Sequence, residues 1–165
     1  MAFTSEELRP DHDCTRLDSS NDALDAWLRD HALHASAMNT SRTFVWHVGD
    51  GVVVAYFTLA AHLVARAAVS KRTGRGGPSI IPAILLARLA LDRSLQGRGL
   101  GAELLWDALS RAVAANRQAA ARVVVVDAVD KNAATFYRHF GFESILGNEL
   151  RLVQKLSSIE AALRR

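Results

Sequence analysis

The chain has 165 residues, 50% hydrophobic and 22% charged, a balance that excludes disorder and suits one globular domain able to bury a core without a disulfide or metal. Lys and Arg number 20 against 17 Asp and Glu, a formal net charge of +3, too small to name a polyanionic partner until the charges are placed. The single cysteine, Cys14, excludes an internal disulfide and a cysteine-built metal cluster, and it fits a reducing, cytoplasmic setting.

Taken in chain order, Met1 to Pro10 holds Glu6 and Glu7 and has no apolar run of the signal-peptide kind. Ser20-Asn21-Asp22 reads as a helix N-cap, and Leu24, Trp27, Leu28 and His31 follow at spacings of three and four. Phe44 to Val48, Gly49-Asp50-Gly51 and Val52 to Leu59 read as a β-hairpin. Lys71 to Pro78, rich in Gly and Arg, reads as an exposed loop. Ile84 to Leu91 suits a strand buried on both faces. The whole apolar stretch from Ile80, broken by Pro82 and Arg88, is too short for a bilayer, which takes about 20 residues. From Gly101 the period becomes helical: Leu104, Leu105, Ala108, Leu109, Ala112 and Val113 form one stripe, with Glu103, Asp107 and Arg111 facing away. Val123 to Val126 is a second buried strand, and Ala133 to Phe140 a short helix capped by Asn132 and ended by Gly141. Phe142 to Ile145 pairs with Leu150 to Lys155. The expected architecture is a single α/β (α+β mixed) domain over residues 1–165, with a twisted, mostly antiparallel mixed sheet between helices and a basic C-terminal tail over 157–165.

The chemistry concentrates where the first buried strand runs into Gln96-Gly97-Arg98-Gly99-Leu100-Gly101 and a helix begins at once. Glycines admit close backbone approach, and a helix start offers unpaired N–H groups at the positive dipole end, so this turn can cradle a pyrophosphate. The Gly-Lys-Ser/Thr ending of a P-loop is absent, and the glycine spacing is wrong for a dinucleotide fingerprint. A second cluster follows the next strand: Asn132, Phe136, Tyr137, Phe140 and Phe142. Tyr137, one step from Phe136, turns its hydroxyl to a different surface.

Gln96-Gly97-Arg98-Gly99-Leu100-Gly101 resembles the acyl-CoA signature of the GNAT N-acetyltransferase superfamily, and Asn132…Phe136-Tyr137…Gly141-Phe142 resembles its later cofactor and acid segment. Pro78-Ser79-Ile80-Ile81-Pro82, then Leu85 to Asp92 running toward Gln96-Gly97, is similar to the toxin branch of bacterial toxin–antitoxin pairs. The resemblance implies acetyl-CoA as cosubstrate with no metal, and backbone pairing of pantetheine with Leu89, Ala90 and Leu91. It places the pyrophosphate on the amides of Gly97, Gly99, Leu100, Gly101 and Ala102, with Gln96 and Arg98 alongside. Asn132 and Phe136 would line the pantetheine arm, and Tyr137 would be the general acid. It further implies an aminoacyl-tRNA acceptor and arrested translation. A ribbon-helix-helix antitoxin binding operator DNA through the complex, and a homodimer, are implied as well.

The chemistry closes on its own terms. Tyr137, with a reference pKa near 10, can protonate a CoA thiolate. No residue is placed as a strong base, so an α-amine, ordinarily at about 7.7–8.0, suits the site better than a lysine at about 10.4. Acetylation of a small-molecule or protein amine is the alternative, and a non-enzymatic CoA-binding scaffold is a third reading. Charge placement favours the anionic acceptor. Between Gly51 and Leu91 there is no Asp or Glu, while Arg66, Lys71, Arg72, Arg75 and Arg88 all fall there as tRNA-binding candidates. Arg151, Lys155, Arg164 and Arg165 add a basic C-terminal portion. His31 and His34 read as ordinary helix residues, Cys14 as a plain small side chain, and Trp27, Trp46 and Trp106 as core aromatics.

Overall fold

The computed structural model describes residues 2–165. Seven strands hydrogen-bond in the order β1-β2-β3-β4-β5-β7-β6. They are β1 (Thr4–Glu7), β2 (Arg42–His47), β3 (Ala55–Ala65), β4 (Ile80–Leu91), β5 (Val123–Asp127), β6 (Glu143–Ile145) and β7 (Asn148–Lys155). β4 and β5 run parallel, while β1–β2, β2–β3, β5–β7 and β6–β7 are antiparallel, so the sheet is mixed as expected. The helices are α1 (Asp22–Asp30), α2 (Ala32–Ala37), α3 (Lys71–Gly74), α4 (Leu100–Asn116), α5 (Lys131–His139) and α6 (Leu156–Leu163).

The chain divides into two compact units, the first made of residues up to Ala60 together with Arg88–Ala108, the second of Ala61–Ala87 with Leu109–Arg165. In the first, Leu8, Leu17, Leu28, Val45, Val53, Tyr56 and Ala90 form a core against which Cys14, Leu24 and Trp27 pack. Asn21 caps α1, its side chain accepting from the Leu24 N–H at 3.1 Å. That helix stops one residue before His31, which is exposed and begins a second short helix, so His31 does not extend the apolar face. The Gly49–Gly51 turn has φ of +103° and +75° at its glycines. β3 begins only at Ala55, because Val52 and Val53 bridge back to Asp13 instead of joining the hairpin. β1, unread in the sequence, pairs with β2 from Thr4↔His47 to Glu7↔Phe44.

In the second unit, Val64, Val69, Ile81, Ala83, Val123, Val125 and Val153 form the core. β4 starts at Ile80, four residues earlier than expected, and its Ile80 and Pro82 are exposed, so it is not buried on both faces throughout. Its ladder with β5 ends at Leu86↔Val126, while β4 continues to Leu91. The six apolar stripe residues of α4 are buried. Asp107 does not face solvent freely: its carboxylate accepts from the Ser5 hydroxyl at 2.5 Å and the Trp46 indole at 2.8 Å. Residues 71–74, expected as loop, form a helical turn with Thr73 and Gly74 buried. The C-terminal stretch is helical too, anchored by buried Leu156 and Ile159. No helix among the described residues is long and apolar enough to cross a membrane.

Candidate functional site

β4 leads into a braced turn. Asp92 accepts from the Ser94 N–H at 3.1 Å and the Asp18 N–H at 3.0 Å. The Gln96 amide donates to the carbonyls of Leu91 at 2.9 Å and Ser19 at 3.1 Å. The Gln96 side chain, although exposed, thus ties the turn to the end of β4 and to Ser19. Gly97 and Gly99 stand at φ of +78° and +76°, and a Cβ on either would meet nothing within 4 Å. Their left-handed backbone explains glycine, and the space beside them is open. Gly97, Arg98 and Gly99 are exposed, Leu100, Gly101 and Ala102 half-buried, and α4 starts at Leu100. Ala90 gives its side chain to the core, which leaves only its backbone for a ligand; Leu89 and Leu91 are half-buried.

On α5, Asp130 and not Asn132 is the cap: its carboxylate accepts from the Ala133 N–H at 2.8 Å. Both residues are capping types two positions apart, and the extended backbone of Asp130 decides between them. Asn132 lies exposed in the first turn. Tyr137 is buried, edge-on to Phe136 at 5.4 Å and Phe142 at 5.9 Å. Burial, with the Asp127 carboxylate adding to it, pushes its phenol well above the usual tyrosine value. The group stays a proton-bearing donor through the physiological range. Asp127 ends β5 and takes a two-pronged contact from Arg151 at 2.7 and 2.9 Å, while the third arm of that guanidinium donates to His62 Nε2 at 3.2 Å. Burial and Arg151 together hold the His62 imidazole below its ordinary value.

The basic candidates separate by environment. Arg66 donates to the Gly77 carbonyl at 2.8 Å, and Arg72 pairs with Glu143 at 3.9 Å. Lys71 and Arg75 are exposed, and with Arg66 they line an open cavity of about 750 Å³ that also includes Val69, Ser79 and Leu146. The span lacking acids in sequence is thus not acid-free in space. Glu143 accepts from Ser70 at 2.7 Å and Thr73 at 2.9 Å, hydrogen bonds that hold its carboxyl below the usual range. Arg88 differs from the other four: half-buried, its guanidinium carbon lies 3.8 Å from the centroid of the Trp27 ring. Two of the four C-terminal cations are engaged as well, Arg151 with Asp127 and Arg164 with Glu160 at 3.1 Å. Burial pushes the Cys14 thiol up to about 11, which leaves it a poor nucleophile.

Two arrangements were not legible as motifs, the Trp27–Arg88 stack and a cluster of Glu6, His12 and His47. In the cluster, the Arg9 N–H donates to His12 Nδ1 at 2.8 Å and the Gly49 N–H to His47 Nδ1 at 3.0 Å. Both neutral rings then carry their proton on Nε2 and donate to Glu6 Oε1, at 2.7 and 2.8 Å. A cation at those nitrogens would move each proton to Nδ1, against a backbone N–H. The cluster is a three-way pin between the N-terminal segment and β2.

A turn of left-handed glycines at a helix start, beside a long strand that outruns its parallel ladder, is suited to a phosphate-bearing ligand with an extended arm. The acetyltransferase (GNAT) domain family matches residues 40–144. The chain is 40% identical over 151 residues to the tRNA-acetylating toxin of Mycobacterium tuberculosis, covering 92% of this chain and 90% of that protein. Its fold matches the toxin AtaT complexed with acetyl-methionyl-tRNAfMet at a TM-score of 0.89 and 32% identity, covering 98% of this chain and 99% of that one. It also matches a mutant AtaT bound to the C-terminus of the antitoxin AtaR and acetyl-CoA, at a TM-score of 0.85 and 30% identity over 99% of both chains. The chain belongs to the GNAT acetyltransferase family, and within it to the group that contains the tRNA-acetylating toxin. It is an acetyltransferase that takes its acetyl group from acetyl-CoA.

Proposed function

We propose that this protein is a toxin that transfers acetyl to the α-amine of aminoacyl-tRNA and so blocks translation. The observation that carries the reading is the near full-length correspondence to a tRNA-acetylating toxin and to AtaT in complex with its acetylated tRNA. Acetyl-CoA supplies an activated thioester. The residues of this chain bind it and hold the proton for its leaving group. The amides of Gly97, Gly99, Leu100, Gly101 and Ala102 hold the pyrophosphate, a role supported by the open space and left-handed backbone at Gly97 and Gly99. Arg98, exposed at the rim, adds charge. The β4 backbone at Leu89, Ala90 and Leu91 receives pantetheine, consistent with a strand that continues past its ladder with β5. Asn132 and Phe136 line the arm.

Tyr137 is the general acid. Its burial keeps it protonated, so it offers O–H to the sulfur as the C–S bond breaks. The amine needs no strong base, because an α-amine titrates at about 7.7–8.0 and is substantially neutral near physiological pH. Arg66, Lys71, Arg72, Arg75 and Arg88 hold the RNA, the exposed Lys71 and Arg75 most directly. The whole chain acts as one domain in the cytoplasm, opposed by a ribbon-helix-helix antitoxin that binds operator DNA through the complex. It works as a homodimer. Ala61, Leu63 and Ala65 of β3 and Ile80 and Pro82 of β4 are all exposed, with Leu63 at 65% and Ile80 at 52%, an uncharged apolar strand surface for a second copy to cover.

The test is transfer of labelled acetyl from acetyl-CoA to charged tRNA. Label should appear on the aminoacyl group, and Tyr137→Phe should lower turnover about 10²- to 10⁴-fold, the usual worth of a positioned acid, while acetyl-CoA still binds. Label on a small amine or protein and on no charged tRNA would replace this reading.

A further inference from the structure

The residue that precedes the proposed pantetheine strand is out of place for a structural role. Arg88 is half-buried, and no carboxylate pairs with it among the described residues. Its guanidinium instead stacks on Trp27 at 3.8 Å. Trp27 is fixed in turn. It packs on the core and stacks on Tyr56 at 6.3 Å and 14°, and the Tyr56 hydroxyl donates to the Leu24 carbonyl of the same helix at 2.7 Å. Stacking uses the face of a guanidinium and leaves its in-plane N–H donors unspent. A partly desolvated cation without a counter-ion is costly, and an aliphatic side chain would fill the position without that cost. The donors are aimed at something that arrives.

The order of groups along the strand says what arrives. The pyrophosphate turn lies at 97–101 and the pantetheine backbone at Leu91 to Leu89, so the acyl end of the donor falls at the next position back, beside Arg88. The acceptor has to meet the donor at that point. The anion nearest the α-amine of an aminoacyl-tRNA is the phosphodiester that joins its terminal nucleoside to the rest of the chain. Planar guanidinium donors match phosphate oxygens two at a time.

We propose that Arg88, held by Trp27, grips the terminal phosphodiester of the acceptor end and thereby positions the aminoacyl group. This rests on the aminoacyl-tRNA reading above. The experiment compares two acceptors, charged tRNA and the same aminoacyl group on adenosine alone, which lacks that phosphodiester. Arg88→Ala should raise KM for charged tRNA about ten- to hundredfold, the range of a charge-assisted hydrogen bond, and change KM for aminoacyl-adenosine less than about threefold. Trp27→Leu, which keeps the charge and removes its support, should move the tRNA KM in the same direction by a smaller factor. Arg88→Lys should recover part of the loss. Acetyl-CoA affinity, measured in parallel, reports that each variant is folded. Equal losses on both acceptors would make Arg88 a wall of the site and overturn the proposal, as would an unchanged tRNA KM in Arg88→Ala or Trp27→Leu. Wild-type protein that acetylates neither acceptor would instead remove the reading beneath it.

Discussion

Around Gly97 and Gly99 the backbone is left-handed and an added Cβ would meet nothing within 4 Å, whereas one on Gly74 or Gly77 would crowd its neighbours. A Cβ on Gly74 would lie 2.8 Å from Arg66 Cγ, and one on Gly77 would lie 3.1 Å from Arg122 Nε and 3.2 Å from the Gly74 carbonyl. Both segments read as glycine- and arginine-rich loops. The first keeps glycine for conformation beside open space; the second combines a left-handed Gly76 at φ +76° with Gly74 and Gly77, whose close neighbours crowd any side chain. The bracing differs as well. Asp92 and Gln96 tie the first turn to Leu91 and to the Asp18–Ser19 segment. In the second, Arg66 reaches the Gly77 carbonyl, and Arg122 reaches that of Arg75. A glycine-rich segment announces a ligand only when its glycines leave space unused.

That contrast predicts different binding phenotypes for the same substitution. Gly99→Ala places an L-residue at φ +76°, a strain of about 1–2 kcal/mol, and sets a methyl group where the pyrophosphate is proposed to lie. Through that methyl group acetyl-CoA Kd should rise at least about tenfold, equivalent to about 1.4 kcal/mol, while the strain itself lowers the thermal midpoint by a few degrees. Calorimetric titration checks it, and an unchanged Kd would reduce the turn to a mere connection. Gly74→Ala should lower stability alone. Crowding against Arg66 and Val69 Cγ2 should cost about 1–3 kcal/mol of stability, visible as a lower urea midpoint, with acetyl-CoA binding intact. Equal midpoints for Gly74→Ala and wild type would mean that the segment has slack the contacts do not show.

The parts legible in the sequence were those whose cause is local. The α4 stripe, the Val123 to Val126 strand, and Gly141, which stands at φ +95° after α5, follow from periodicity and backbone preference. So do the glycines of the pyrophosphate turn. What escaped depends on partners far along the chain. β1 is a short polar strand, Thr-Ser-Glu-Glu, recognisable only by its register with β2. The acid that enters the basic segment comes from Glu143, 73 residues from Ser70 in sequence. Trp27 has the sequence pattern of a core aromatic, and only the fold brings Arg88 onto its ring. Charge counted along a sequence overstates the free charge, because pairing is tertiary.

Glu6 in the first unit and Glu143 in the second each gather several donors, and the pair sharpens the comparison at smaller scale. Glu143→Gln keeps an acceptor for Ser70 and Thr73 but removes the charge beside Arg72. Releasing that cation should strengthen charged-tRNA binding slightly and steepen its dependence on log salt by about one unit. A salt slope equal to that of wild type would place Arg72 away from the RNA.

Glu6 has the smaller expected effect and a distinct signature in pH. Hydrogen bonds from His12 first and His47 second hold its carboxyl down to about 2 from an ordinary 4.5. The folded form therefore binds this proton less readily than the unfolded chain. Its contribution to stability is complete above about pH 4.5 and is lost as the pH falls toward about 2. Glu6→Gln leaves an oxygen for both imidazoles and removes the titration, so urea midpoints measured from pH 5 down to about 3 should fall less steeply in the variant than in wild type. Parallel slopes would show that the pin survives protonation of Glu6. The steeper wild-type slope would show that the charge, and not merely the acceptor oxygen, ties the N-terminal segment to β2.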